Sequence, residues 1–525
     1  MSHTGYRVGW TAAAFVCAAY VFCFVRLAPL ALQDYPNHLA RALVVNDLML
    51  HGGAKFGAAF SYSFLAIPYI LNDWLLAALI ELTGIDSAAA LWPVLVMLSL
   101  PVALLYYMRT LGVGRDQQIV GFLLSLYLVT NTFFFRGFLA FSLAVAFIAA
   151  ALGLARALRE GVRVRVRVRR SILRYAIYCA VVTAAYLTHL TTVVFITAAL
   201  TISSMWDMYR RRTLNWRNEF LIFLPIAALL GWHFLFHSAV PGIESTATVW
   251  ASALGKIRHV DWTFIRFYWQ LDLALLGLGV LACLWQAYGP GSHRAATPTA
   301  WEMLALSVTF TAIYLVLPSA LGTATWIDMR AVPMIALFLM LACLSTAGPV
   351  QAQSRIPISA ISIALSALLA FANLIYLVHH LQPLERRVAD YRAVVARIPP
   401  GSWVFPVYTG MTDRPVKSTL HLDAYVLTDR QAFSPYQFSR DLGDPMQYFS
   451  YRNKPYAPDE DWYTEGQSEP VDWPAIERSY DFLLVMKPFD AKRVPISGQP
   501  VFENDAAVLI AVSSNSSADA QRSAH

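Results

Sequence analysis

Apolar runs separated by short polar breaks make up most of the chain. Runs long enough, or nearly so, to cross a hydrocarbon core lie near 8–32, 88–107, 117–132, 138–156, 175–188, 190–207, 219–238, 269–287, 301–318, 331–346 and 357–380. A spanning helix needs about 20 apolar residues at 1.5 Å each. One further run, 63–83, is broken by Pro68, Asn72, Asp73 and Glu81. Whether it spans sets the topology of everything after it, and charge arbitrates, because Lys and Arg prefer cytoplasmic loops. If 63–83 only dips into the interface, then Arg109 and Arg115, the segments 156–174 and 210–217, Arg294 and Arg355 all fall on the side of Arg7. If it spans, the Arg-rich segment 156–174 lands outside. The pattern therefore predicts about eleven spans, with the N-terminus cytoplasmic and the C-terminus extracytoplasmic.

From 381 onward the apolar periodicity fades. Residues 384–398 read as a helix, and 402–408, 480–487 and 506–512 as short strands rich in β-branched or aromatic residues. The predicted organisation is a membrane module, 1–380, with an outer loop at 33–87. A soluble α/β domain follows at 381–512 on the outer side, then a Ser/Ala-rich disordered tail at 513–525. The alternating Val/Arg segment 162–170 reads as a solvated cytoplasmic loop touching anionic head groups.

Composition agrees. The chain has 525 residues, 57% hydrophobic and 14% charged, which is the profile of a polytopic membrane protein. Its net charge of +7 comes mostly from Arg in short loops, so it is no sign of nucleic-acid binding. The first apolar run is too long for a signal-peptide core and reads as a retained helix. Five cysteines, Cys17, Cys23, Cys179, Cys283 and Cys343, all sit in apolar runs, and no CxxC occurs. They read as small buried hydrophobes, with no disulfide framework or thiolate metal site.

The candidate chemistry begins where the chain leaves the first span, at Asp34-Tyr35-Pro36-Asn37-His38-Leu39-Ala40-Arg41. Pro36 suits a first helical turn and Asp34 its cap. Asp34, His38 and Arg41 then fall on one helix face, with Leu39, Leu43, Leu48 and Leu50 opposite. Such a helix is expected on the membrane surface. Three more polar groups reach the same outer side: Asn131 and Arg136, Thr188 and His189, and Asp328 and Arg330. Ionisable groups at membrane depth are costly and tend to line functional cavities. Four such groups on one side predict a shared cavity.

No Walker loop, no GxGxxG opening a helix, no HExxH and no GxSxG is present, so nucleotide hydrolysis, dinucleotide redox chemistry and zinc proteolysis lack support. One carboxylate among several cations suits another task. The cations hold a phosphate, and the carboxylate takes a proton from an acceptor hydroxyl or amine. Displacement at a sugar C1 with phosphate leaving needs those two functions, and an inverting reaction needs no second carboxylate as nucleophile.

At these residues the sequence resembles the GT-C superfamily of membrane glycosyltransferases, whose members include the protein O-mannosyltransferases and the lipid A aminoarabinose transferase. The likeness covers the order of the whole chain: a first span, an outer loop opening with an acid, short outer helices, a many-span bundle and an outer domain. It implies a hexosyl or pentosyl transferase of the bacterial inner membrane using a polyprenyl-phosphate-linked sugar. The acceptor would be a lipid, glycan or protein. By the same resemblance Asp34 is the catalytic base. His38, Arg136, His189 and Arg330 are expected to contact phosphate or sugar, Asp328 to join the site, and Arg41 to orient Asp34. Tyr35 stands where many relatives carry a second acid, and Arg136 where some carry an acid in the next outer turn. No cofactor is assigned, and a divalent cation remains an open alternative with its ligands unknown. The rival reading is a transporter or flippase of a lipid-linked or polar solute. Repeated halves or paired broken helices, the usual marks of a transporter, are not seen in the sequence.

Overall fold

Each of the eleven apolar runs folds as a helix. The first part of the chain, in the computed structural model, contains α1 (His3–Arg26), α2 (Tyr35–Leu50), α3 (Ile70–Thr83), α4 (Ile85–Thr110), α5 (Arg115–Val129) and α6 (Thr132–Phe135). The middle contains α7 (Leu139–Gly161), α8 (Val168–Thr188), α9 (Leu190–Arg211), α10 (Trp216–His237) and α11 (Ala253–His259). Then come α12 (Trp269–Tyr288), α13 (Pro298–Val316), α14 (Val332–Leu344), α15 (Ile358–Val395) and α16 (Tyr425–Arg430). The structure describes residues 3–62, 68–161, 168–212, 216–237, 248–288, 296–321, 324–346, 358–408, 416–436, 449–452, 454–458, 471–488, 495 and 498–512. Most of the Val/Arg alternation and the whole 513–525 tail lie outside these.

Among the described residues, nine helices are long and apolar enough to cross a membrane. Two of the eleven are shorter: α5 has 15 residues and α14 has 13. The first run also ends early, because α1 stops at Arg26. Pro29 explains this, since proline lacks the N–H a helix needs and disfavours helical geometry in the residue before it.

The run 63–83 contributes α3, about 21 Å long, which is too short for a core of about 30 Å. Of its polar residues, Asn72 and Asp73 are buried, while Glu81 is exposed. The Asp73 carboxylate is fully buried and takes a forked pair from Arg41, Nε to Oδ2 at 2.7 Å and Nη2 to Oδ1 at 2.9 Å. Asn46 on α2 donates to the Ala77 carbonyl at 3.2 Å.

Two polar groupings fasten the bundle. One is centred on Arg266, just before α12 and 1% exposed. It pairs with Asp272 at 2.7 Å and donates to the Thr130 carbonyl and to Asn373 on α15. Asn373 donates in turn to Tyr20 on α1 and to the Thr130 hydroxyl, and Tyr376 donates to Asp272. Four helices are thereby tied together by one network. The other lies among the ends of α7, α10 and α13. There Arg159 grips Glu219 with two bonds of 2.8 and 2.9 Å, and Arg156 pairs with Glu302 at 2.9 Å.

Beyond the bundle, α15 continues past 380 without a break to Val395. Its last turns present Val388, Tyr391, Val394 and Val395 to a mixed sheet. The strands are β5 (Val404–Tyr408), β7 (Phe482–Met486), β8 (Gly498–Glu503) and β9 (Ala507–Val512), in the order β5-β7-β9-β8. The first pair is parallel and the others antiparallel. Three of these strands match the sequence reading. β8 was not predicted: it is a largely exposed edge strand holding Gly498 and Pro500, which weaken a strand signal.

Three short pairings complete the fold. β2 (Thr248–Val249), β3 (Ala320–Leu321) and β4 (Ala324–Thr325) form a small sheet. β1 (Phe60–Tyr62) of the outer loop pairs antiparallel with β6 (Phe449–Tyr451), and the Phe60 and Tyr451 rings lie 4.2 Å apart. Arg452 reaches back to the Gly57 and Phe60 carbonyls. Helix α2 is therefore held between bundle and sheet region, with Tyr35, Pro36, Asn37, Leu39 and Ala40 all buried. The helix expected on the membrane surface is thus packed between two parts of the protein.

Candidate active site

Helix α2 begins at Tyr35, with Pro36 in its first turn and Asp34 at the cap position. The Asp34 side chain makes no capping bond. A tight turn ahead of α7 is what seats it. The Gln33 and Asp34 amides donate to the Phe135 and Arg136 carbonyls, both at 3.0 Å. Gly137 permits this approach. Its φ is +82°, and a Cβ there would stand 2.7 Å from the Asp34 and Tyr35 nitrogens. Asn131 shapes the same turn by accepting from the Phe133 and Phe134 amides.

Arg136, at the end of this turn, lays its guanidinium over the Trp326 ring at 3.5 Å from the centroid. Burial pushes its pKa down to about 10, opposed by the charge of Asp34, so it remains a cation at neutral pH. The Asp34 carboxylate also faces His421 of the sheet region, with Oδ1 at 3.6 Å from Nε2.

One turn into α2, the His38 Nδ1 accepts from Arg41 Nη2 at 3.1 Å. Because arginine only donates, the ring proton sits on Nε2. Burial holds His38 well below the ordinary histidine value, with Arg41 and then His421 adding to the effect. It is a neutral hydrogen-bond donor at pH 7. Arg41 is engaged in the forked pair with Asp73, an interaction sequence spacing did not reveal.

His189 caps α9. Its Nδ1 accepts the Thr191 amide at 3.3 Å, with the Thr191 hydroxyl 2.8 Å away, which leaves the proton on Nε2 for the Tyr69 hydroxyl at 3.1 Å. Burial, then the charge of Arg330, holds this ring well below its usual value. These groups form two clusters: Asp34, Arg136, His38 and His421, and His189, Tyr69 and Arg330. Rings bridge them, Trp326 to Phe133 at 6.2 Å, Phe133 to Phe141 at 5.0 Å and Phe141 to His189 at 5.7 Å.

Asp328 turns to other partners. It accepts from Ser319 at 2.9 Å and lies 3.5 Å from Lys256, whose ammonium also satisfies the Tyr314, Leu315 and Leu317 carbonyls at the end of α13. With Trp326, Trp262 and His259 these residues line a cavity of about 150 Å³. Among the described residues no three His, Cys, Asp or Glu side chains converge as metal ligands.

Tyr69, Trp326, His421 and Lys256 all escaped the sequence reading. Trp326 stood beside a predicted pair, in Trp326-Ile327-Asp328-Met329-Arg330. The others carried no pattern that could be read.

This arrangement of bundle, acid-led outer helix and α15-borne sheet defines a multi-pass membrane protein with the GT-C fold. It is similar along its whole length to ArnT, the lipid A aminoarabinose transferase, from Cupriavidus metallidurans. Against that protein bound to undecaprenyl phosphate the TM-score is 0.54 at 13% identity, covering 98% of this chain and 99% of that one. Against its apo state the TM-score is 0.55 at 13% identity, covering 97% and 98%. No protein-family model matches the sequence, and no curated protein matches it either.

Proposed function

We propose that this protein is an inverting membrane glycosyltransferase that moves a sugar from a polyprenyl-phosphate donor to an extracytoplasmic acceptor. The observation that carries the reading is a buried carboxylate, Asp34, freed from capping and seated beside Arg136 in a fold shared with a protein bound to undecaprenyl phosphate. In this reading the acceptor hydroxyl or amine gives its proton to Asp34. Its heteroatom bonds to C1 of the sugar, the C1–O bond to phosphate breaks, and polyprenyl phosphate leaves with that electron pair. Arg136 and Arg330 supply charge for the phosphate, while His38 and His189 act as neutral donors rather than cations. Incubating the purified protein in detergent with undecaprenyl-phosphate-linked pentoses and hexoses and a cell-envelope extract tests it. A new glycoconjugate by mass spectrometry is expected, and none with any donor would remove the reading.

The same proposal places the N-terminus in the cytoplasm of the bacterial inner membrane and the sheet region outside. In a cysteine-free background, Cys at the exposed position Ala396 is expected to react with a membrane-impermeant maleimide in intact spheroplasts. Cys at Arg115 should react only after lysis. The reverse pattern would invert the topology.

A further inference from the structure

His421 stands at the contact between the sheet region and Asp34, and its backbone is held in an unusual shape. Its φ is 61° and ψ 18°, the left-handed region that side chains bearing a Cβ rarely adopt. Five non-glycine residues among those described have positive φ: Tyr69, Arg212, Trp326, His421 and Gln431. Three of them set a ring against a different predicted site residue. Tyr69 meets His189, Trp326 lies under Arg136, and His421 faces Asp34. Such conformations persist only where surrounding structure enforces them, and they gather at functional sites.

The enforcement around His421 is visible on both sides. Two residues on, Asp423 is fully buried. Tyr408, the last residue of β5, donates its hydroxyl to Asp423 Oδ1 at 2.8 Å and accepts the Asp423 amide at 2.9 Å. Ser434 donates to the other carboxylate oxygen. Upstream, the Lys417 amide donates to the Gln33 side chain at 2.9 Å, next to Asp34 itself. Downstream, the Tyr436 carbonyl accepts from Asn37 on α2 at 3.2 Å. The segment carrying His421 is therefore held to the sheet through Asp423 and, on either side of it, to the start of α2 through Lys417 and Tyr436.

We propose that His421 is a positioning residue for the Asp34 carboxylate, so that the sheet region completes the active site instead of standing apart from it. This rests on the reading of Asp34 as the base. The His421 Nε2, 3.6 Å from Oδ1, sets the carboxylate's direction, and whenever the ring carries a proton it favours the ionised, proton-accepting form. The other charged or titratable groups around the pair are Arg136 on the turn before α7, His38 and Arg41 on α2, and Asp423 beyond His421.

The test reads the protonation of Asp34 directly and needs no substrate. Dicyclohexylcarbodiimide modifies protonated carboxyl groups in apolar surroundings. Labelling of Asp34 in the full-length protein is followed by peptide mass spectrometry across pH, for the wild type, His421→Gln and His421→Asn. Gln431 already occupies φ 54° in this chain, and asparagine enters that region readily, so both variants suit the backbone. Losing a positive neighbour raises a carboxylate's pKa, so the labelling midpoint is expected to move up by about one pH unit in both variants. Turnover should fall with it, more at low pH than at high. An unmoved midpoint in both variants would overturn the role of His421, while inactivity of Asp34→Asn would still uphold the base. Full activity of Asp34→Asn would instead remove the base and, with it, anything for His421 to position.

Discussion

Asp34→Asn is expected to lower turnover by about 10²–10⁴-fold, the usual contribution of a positioned base. Asparagine keeps the size and shape of the side chain but cannot take up a proton. Were Asp34 merely a helix cap, the substitution would act on stability, by about 1 kcal/mol when a capping bond is lost. Here the carboxylate makes no such bond, so that route to an effect is missing. The thermal midpoint of the variant should therefore stay close to that of the wild type. Binding of undecaprenyl phosphate should also survive, because the groups assigned to the phosphate are Arg136, Arg330 and the two neutral histidines. Turnover, thermal midpoint and lipid binding measured on one preparation separate the roles. Near-normal turnover would end the assignment.

The largest loss of stability should come from a residue outside the site. Asp272→Ala strips Arg266 of its ion-pair partner at a place where arginine is 1% exposed and aspartate 0%. Breaking a buried pair by removing one member typically costs about 3–5 kcal/mol, since the remaining charge is left uncompensated. The Arg266→Met, Asp272→Leu double variant removes both charges and fills similar volume, and should recover most of that loss. Thermal unfolding in detergent reads both. If the single and double variants are equally destabilised, the hydrogen bonds to Thr130, Asn373 and Tyr376 matter more than the charges. If neither is destabilised, the network is not holding the helices together.

These two residues also mark what could be read from the chain. Asp34 stood out because local signals converge on it: the end of a span, a proline two residues on, and cations at helical spacing. Helix α3 was demoted from the spans by a count of arginines elsewhere, which works because the bilayer imposes one global rule on every loop. The strands β5, β7 and β9 announced themselves by composition. Asp272 and Arg266, by contrast, carry no local pattern that singles them out. Their network runs through Asn373 and Tyr20, which are 353 residues apart in sequence. The same holds for Arg41, which spacing linked to Asp34 while the fold supplies Asp73 as a partner. His421 was hidden for a different reason. A histidine forced to positive φ has no sequence signature, since only its tertiary surroundings demand it.

Helix α15 has a consequence for how the protein can vary. Its 38 residues make a rod of about 57 Å, nearly twice the hydrocarbon thickness, with the sheet at its tip. A rod of this kind behaves as a screw. One residue added or removed between the bilayer and the sheet swings everything beyond it by about 100° and shifts it by about 1.5 Å. His421 would then point away from Asp34. Seven added residues nearly restore the angle but raise the sheet by about 10.5 Å, which parts the two groups again. No change of length keeps both pitch and phase. The stretch leading to Val395 is therefore expected to accept substitutions on its exposed face but no insertions or deletions.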